Sequence, residues 1–222
     1  RDLVELRGLA PERVQVAYLA AEEEFRPIDD RQQLTAIRKH YSLPERYVLY
    51  VGNTRAHKNV GRIIEALALV QQRYADLGLA IVGAPDVGRP AVEHTIQRLG
   101  LQQTVRFLNR IPEQDLPLLY NGAQAFVFPS LYEGFGIPVL EAMACGTPVV
   151  SSDRTSLPEV VGDAGLLVDP EDDEQIAAAL ARILASPQLA ADLRERGLRQ
   201  AARFSWDACA DATVEIYRRV LA

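Results

Sequence analysis

The feature that most constrains this chain is a regular alternation of short apolar runs with longer amphipathic segments, sustained from Tyr47 to Val168. The runs YVLYVG, LGLAIVG, VRFLN, Ala125–Phe128, PVVSS and Gly165–Val168 are too short for helices and almost continuously apolar. That is the pattern of strands covered on both faces. Between them, Val60–Tyr74, Pro90–Leu99, Glu113–Asn121 and a stretch opened by Pro138 and stopped at Gly146 read as helices. Such alternation predicts an α/β fold, a doubly wound parallel Rossmann-like sheet whose ligands bind at the carboxyl ends of the strands. Three C-terminal helices follow, over Asp172–Leu184, Pro187–Arg203 and Trp206–Leu221.

The region before Tyr47 has a different character. RDLVELRG reads as helical, Arg13–Tyr18 as a lone strand, and LAAEEEFRPIDD as a linker whose Glu22–Glu24 run is a solvated loop. Arg31–His40 reads as a short helix. An isolated strand far from the next one, in a chain without an initiator Met, is expected of a piece of a longer polypeptide. The division expected is therefore 1–30 as the end of another domain plus a linker, and 31–222 as the Rossmann-like domain with its C-terminal helices.

Composition narrows the function. A hydrophobic content of 48% is ample for a core, and a net charge of −6 argues against a general grip on nucleic acid. Cys145 and Cys209 are too few for a disulfide framework and suit a reducing compartment, with Cys145 packed rather than reactive. No run is long and apolar enough to span a membrane. No His/Cys cluster has metal-ligand spacing. The first strand and its loop, YVGNTRAHKN, lack G-x-G-x-x-G; there is no G-x-x-x-x-G-K-[ST] and no G-x-S-x-G. Nicotinamide, ATPase and serine-hydrolase chemistries are disfavoured accordingly.

The richest stretch is AFVFPSLYEGFGIPVLEAMACGTPVVS, from Ala125 to Ser151. A strand leads into Gly134 and Gly136, which suit a tight turn, and Pro138 suits the first turn of the next helix. Free N–H groups and the helix dipole make such a junction an anion site. Glu133 precedes the turn and Glu141 lies about one turn inside the helix. A carboxylate accepts from two vicinal hydroxyls, so carboxylates at both ends of a diphosphate site point to sugar chemistry. Lys58, in the loop after the first strand, stands near another helix N-terminus at the binding edge. Ser130, Tyr132 and Phe135 flank the turn, and Phe135 reads equally as a floor for a sugar or a buried anchor. Asp115 reads as surface, Tyr120 and Trp206 as core.

Glu133-GFGIPVL-Glu141, with its surrounding FPSLYEGFGIPVLEAMACGTPVV, resembles the E-x7-E signature of the retaining, nucleotide-sugar-dependent glycosyltransferases of family 4, which have the GT-B fold. The resemblance implies that Glu133 lies by the donor sugar, Glu141 binds the ribose, and Lys58, in a shared Lys-Asn pair, neutralises the diphosphate. Asn53 departs from the pattern, since many relatives place an Arg there; Arg55 and His57 are candidates for the second positive group. Gly83, in GAPDVG, resembles the loop over the nucleotide, and Arg110 and Ile111 the loop against the base. With the Gly134, Phe135, Gly136 and Ile137 turn, these complete the implied donor site. SSDRTSLPEV resembles a further family loop, with Pro158 at the first helical position.

The function so implied is transfer of a hexosyl, mannosyl-type sugar from a GDP- or UDP-linked donor to an acceptor hydroxyl with retention. No metal and no cofactor beyond the nucleotide sugar are implied. The chain would be the C-terminal, donor-binding half of a GT-B enzyme, inactive alone. An acceptor glycan or lipid-linked sugar would bind through the other half, as would any membrane, at the cytoplasmic face. A non-catalytic nucleotide-binding module and a GT-B nucleotide-sugar epimerase remain open on the residues.

Overall fold

In the computed structural model, which describes residues 2–221, the alternating region forms one six-stranded sheet. Its strands are β1 (Arg46–Val51), β2 (Leu77–Val82), β3 (Val105–Leu108), β4 (Ala125–Phe128), β5 (Val149–Ser152) and β6 (Gly165–Val168). All pairings are parallel and the spatial order is β3-β2-β1-β4-β5-β6. The order reverses between β1 and β4, and crevices of this kind hold ligands in open α/β sheets. Strands β2, β4 and β5 are buried along their whole length, whereas the edge strands β3 and β6 are partly exposed.

Helices cover both faces, as fully buried strands require. They are α1 (Asp2–Glu5), α2 (Arg31–His40), α3 (Val60–Gln71), α4 (Arg89–Arg98), α5 (Leu116–Gly122), α6 (Ile137–Ala144), α7 (Leu157–Val161), α8 (Asp173–Ala185), α9 (Pro187–Ala201) and α10 (Trp206–Leu221). One group packs α3 against α4 and α8; the other packs α6 against α5, α7 and α9, with α2 on α5. Caps mark several starts: Asp30 accepts from the N–H groups of Gln32 and Gln33, and Ser186 from that of Leu189. Among the described residues no single helix is long and apolar enough to cross a membrane.

The structure corrects four local expectations. The expected strand Arg13–Tyr18 does not form; Arg13 ends a 3-10 turn, Pro11–Arg13, and the backbone after it has no strand partner, because no strand of the sheet lies alongside it. The segment is held instead by Tyr18, whose ring packs on Phe135 and Phe204 and whose hydroxyl donates to Glu159. The third connecting segment begins as a 3-10 turn, Glu113–Asp115, before α5. Pro158 occupies the second helical position, after Leu157, and not the first, whereas Pro138 lies in the first turn of α6 as expected. Trp206 is 40% exposed, and α10 contributes no buried residue, so this tryptophan is not core. Arg1 and Ala222 lie outside the described residues.

Candidate active site

Because every strand is parallel, the loops after β1, β2, β3, β4 and β5 emerge at one edge of the sheet, and the candidate residues of those loops emerge with them. The loops after β1 and β4 are tied directly together. Leu131 N–H donates to the carbonyl of His57 at 2.8 Å, and Asn59 Nδ2 donates to the carbonyls of Pro129 and Pro170 at 3.0 and 2.6 Å. Asn59, the residue before α3, sits in the left-handed region at φ 61°, its side chain making no cap bond to that helix.

Held between these ties, Lys58 Nζ meets Glu133 Oε1 at 2.6 Å. Both side chains are largely buried, 16% and 11% exposed. The ammonium also lies 5.4 Å from the centroid of the Phe128 ring, a second favourable partner for the cation. Asn53 does not supply a charge here; its Oδ1 accepts the Arg55 N–H and its carbonyl takes the Tyr50 hydroxyl. Arg55 and His57 are exposed.

Asp86 organises the adjoining loop, accepting from Thr54 N–H at 2.6 Å, Thr54 Oγ1 at 2.9 Å and Gly88 N–H at 2.7 Å. Burial alone would raise its pKa; these bonds and the charge of Arg55 hold it below the usual carboxylate value. Gly83 follows β2 so close to the first loop that a Cβ there would fall 2.1 Å from the Gly52 carbonyl oxygen. Arg110 is exposed, while Ile111 is half-buried against the core.

The turn into α6 depends on Gly136, at φ 112°, where an added Cβ would also meet Leu157 Cδ2 at 2.7 Å. Gly134, also expected to serve the turn, has no left-handed φ and open space around it. Ser156 Oγ donates to the carbonyls of Glu133 and Phe135, and Thr155 Oγ1 accepts the Glu133 N–H. The N–H groups of Gly134, Phe135, Gly136 and Ile137 donate no hydrogen bond among the described residues, so they are open donors at the start of α6. The Phe135 ring is engaged with Tyr18 and Phe204 and anchors the turn. Ser130 is fully buried with its Oγ unpartnered, and Tyr132 is 58% exposed.

Glu141, one turn into α6, accepts from the Tyr120 hydroxyl at 2.7 Å. Burial raises its pKa most; the Tyr120 bond opposes that rise, and the charges of Glu24 and Glu22 add to it. Tyr120 is core, as expected, and its hydroxyl reaches Glu141. One sequence expectation changes here. Asp115 is half-buried and accepts the Tyr41 hydroxyl at 2.5 Å, so it is not a free surface acid. Thr155, Ser156 and Asp86 also escaped notice, because their roles arise from contacts distant in sequence. Among the described residues no group of three or more His, Cys, Asp or Glu side chains could hold a metal ion.

The doubly wound sheet thus gathers a cation, two carboxylates and a helix N-terminus around its switch point, where open α/β sheets place their ligands. Residues 34–200 match the family model for glycosyl transferases group 1, and the chain belongs to that family. It is 35% identical over 221 residues to the O-antigen chain mannosyltransferase B of Escherichia coli, covering 98% of this chain and 57% of that protein. It is likewise 35% identical to D-inositol 3-phosphate glycosyltransferase 2 of Catenulispora acidiphila, covering 98% of this chain and 53% of the relative. The chain thus spans about half the length of these curated relatives. Among solved structures, the sucrose-phosphate synthase of Thermosynechococcus elongatus superposes with a TM-score of 0.79 at 32% identity, covering 92% of this chain and 51% of that one. The C-terminal domain of a glycosyl transferase group 1 family protein, LpcC, from Francisella tularensis gives 0.73 at 25% identity, covering 83% and 97%. The fold is therefore the Rossmann-like half of the GT-B glycosyltransferases.

Proposed function

We propose that this chain is the donor-binding half of a retaining glycosyltransferase that moves a sugar, mannose foremost, from a GDP- or UDP-linked donor to an acceptor hydroxyl. The observation that carries this reading is the buried Lys58–Glu133 pair beside the unengaged amides of the α6 turn. In the proposed step the acceptor oxygen bonds to the anomeric carbon while the bond from that carbon to the diphosphate oxygen breaks. The acceptor's proton passes to the departing phosphate oxygen on the same face. Lys58 and the Gly134–Ile137 amides stabilise the charge that develops there, so the reaction as proposed needs neither metal nor cofactor. Glu133 lies by the donor sugar and Glu141 takes the ribose hydroxyls. Gly83, Arg110 and Ile111 line the nucleotide, and Asn53, Arg55 and His57 flank the phosphates.

Mannosyl transfer is supported by the name of the E. coli relative, and the division of labour by the relatives' greater length. Residues 1–30 then belong to the acceptor-binding half and the linker, and 31–222 to donor binding. The acceptor is a glycan or lipid-linked sugar held by that other half, in the cytoplasm or at its membrane face, and this chain alone binds donor without turning it over. The test is transfer from GDP-mannose and UDP-glucose by the full-length protein, with and without a chelator, and the anomeric configuration of the product read by NMR. Glu133→Ala should lower turnover by about a hundredfold or more. Glu141→Ala should act mainly by raising the donor's KM. Near-wild-type rates for both variants, or an inverted product, would sink the reading. A free sugar or an epimer released without acceptor would favour an epimerase instead.

A further inference from the structure

Tyr120 is buried to 0% exposure inside α5, yet its hydroxyl is spent on a carboxylate and not on the backbone. Its ring is fixed from two sides, by Phe126 at 5.3 Å and by Phe25 of the N-terminal segment at 5.8 Å between centroids. The Tyr120 carbonyl is held as well, accepting from Thr147 Oγ1 at 2.8 Å. The next residue, Asn121, pins that N-terminal segment to α5, since its side chain accepts from Ile28 N–H and donates to the Arg26 carbonyl. A ring so confined presents its O–H in one direction, and that direction is Glu141 Oε2.

We infer that Tyr120 is the positioning residue for Glu141, its hydroxyl holding Oε2 so that Oε1 is the atom offered to the ribose diol. This rests on the ribose role proposed for Glu141. The need for such a partner is physical. Glu141 is mostly buried and faces the like charges of Glu22 and Glu24, with the Cys145 thiol on its own helix; Arg26 and Arg194 act on that thiol. A carboxyl in that setting tends toward the protonated form, which accepts poorly and has lost a lone pair to its own proton. The Tyr120 bond works against that tendency and favours the ionised acceptor.

The test is calorimetric titration of this chain with GDP and UDP, each compared with its 2′,3′-dideoxy counterpart, across a range of pH. Wild type is expected to prefer the ribo form, and to lose the preference as acid protonates Glu141. Tyr120→Phe should reduce the preference by about tenfold and shift its pH midpoint upward. Tyr47→Phe is the control: it removes another buried hydroxyl, bonded to the Leu119 carbonyl at 2.7 Å, and should leave both quantities unchanged. If Tyr120→Phe does not fold, 3-fluorotyrosine at position 120 keeps the ring and strengthens the donor, so the midpoint should fall. A wild type without binding or without ribo preference overturns the ribose reading, and this inference with it. A ribo preference that neither substitution at position 120 moves overturns the role of Tyr120 alone.

Discussion

Lys58 Nζ and Glu133 Oε1 lie 2.6 Å apart although 75 residues separate them in the chain. They meet because β1 and β4, which launch their loops, are neighbours at the point where the strand order reverses. The pair is largely withdrawn from water, and the bonds from Asn59 and Leu131 hold its two loops together without it. The positive group is thus kept in place before any ligand arrives, which is the condition for electrostatic preorganisation.

Burial makes this pair sensitive to the loss of one partner. Lys58→Met or Glu133→Gln alone should destabilise the chain by up to about 3 kcal/mol, because each leaves a charge without its counter-charge. The double variant should recover most of that loss. Urea unfolding of the four proteins measures the coupling, and strictly additive losses would contradict it.

Glu141 predicts a stability that depends on pH in a definite sense. Its folded pKa is raised above the ordinary glutamate value, foremost by burial, so the folded state holds a proton at pH values where the unfolded state releases it. The stabilisation from that proton is complete below the unfolded pKa and is lost as pH rises through the folded one. Glu141→Gln should therefore melt higher than wild type near neutral pH, with the difference vanishing in acid. Thermal melts between about pH 4 and pH 8 check this, and a gain that grows in acid would refute the sign.

The two glycines of the α6 turn should respond differently to alanine. Gly136→Ala forces a side chain into φ 112° and against Leu157, and should cost about 1–3 kcal/mol. Gly134→Ala meets open space and should stay within about 0.5 kcal/mol of wild type. Denaturant midpoints distinguish the two.

The two thiols should differ in reactivity. Burial, and then the charge of Glu141, push the Cys145 thiol up to about 12, whereas Cys209 on α10 is partly exposed. Alkylation of the native chain should modify Cys209, with Cys145 reacting after unfolding, as peptide mass spectrometry would report.

Most elements were legible in the sequence because their causes are local. An apolar run of four to six residues between turn signals favours a strand, and β6 and α10 keep their expected limits at Gly165–Val168 and Trp206–Leu221. Val14–Tyr18 shows the limit of that reasoning. Its pattern suits a strand, but a strand needs a partner edge, and none lies beside it. Trp206 failed similarly, since a large aromatic residue is core only where something packs on it.

By itself the sequence determined the α/β class, the E-x7-E pattern and the loop lysine, since periodicity, turn chemistry and residue spacing are written along the chain. Tertiary structure decided the strand order, the Lys58–Glu133 contact, the anchoring of Phe135 by Tyr18, and the bond from Tyr120 to Glu141. Each of those joins segments far apart in sequence. Whether their side chains meet depends on how helices and strands pack across the sheet, and no local propensity carries that information.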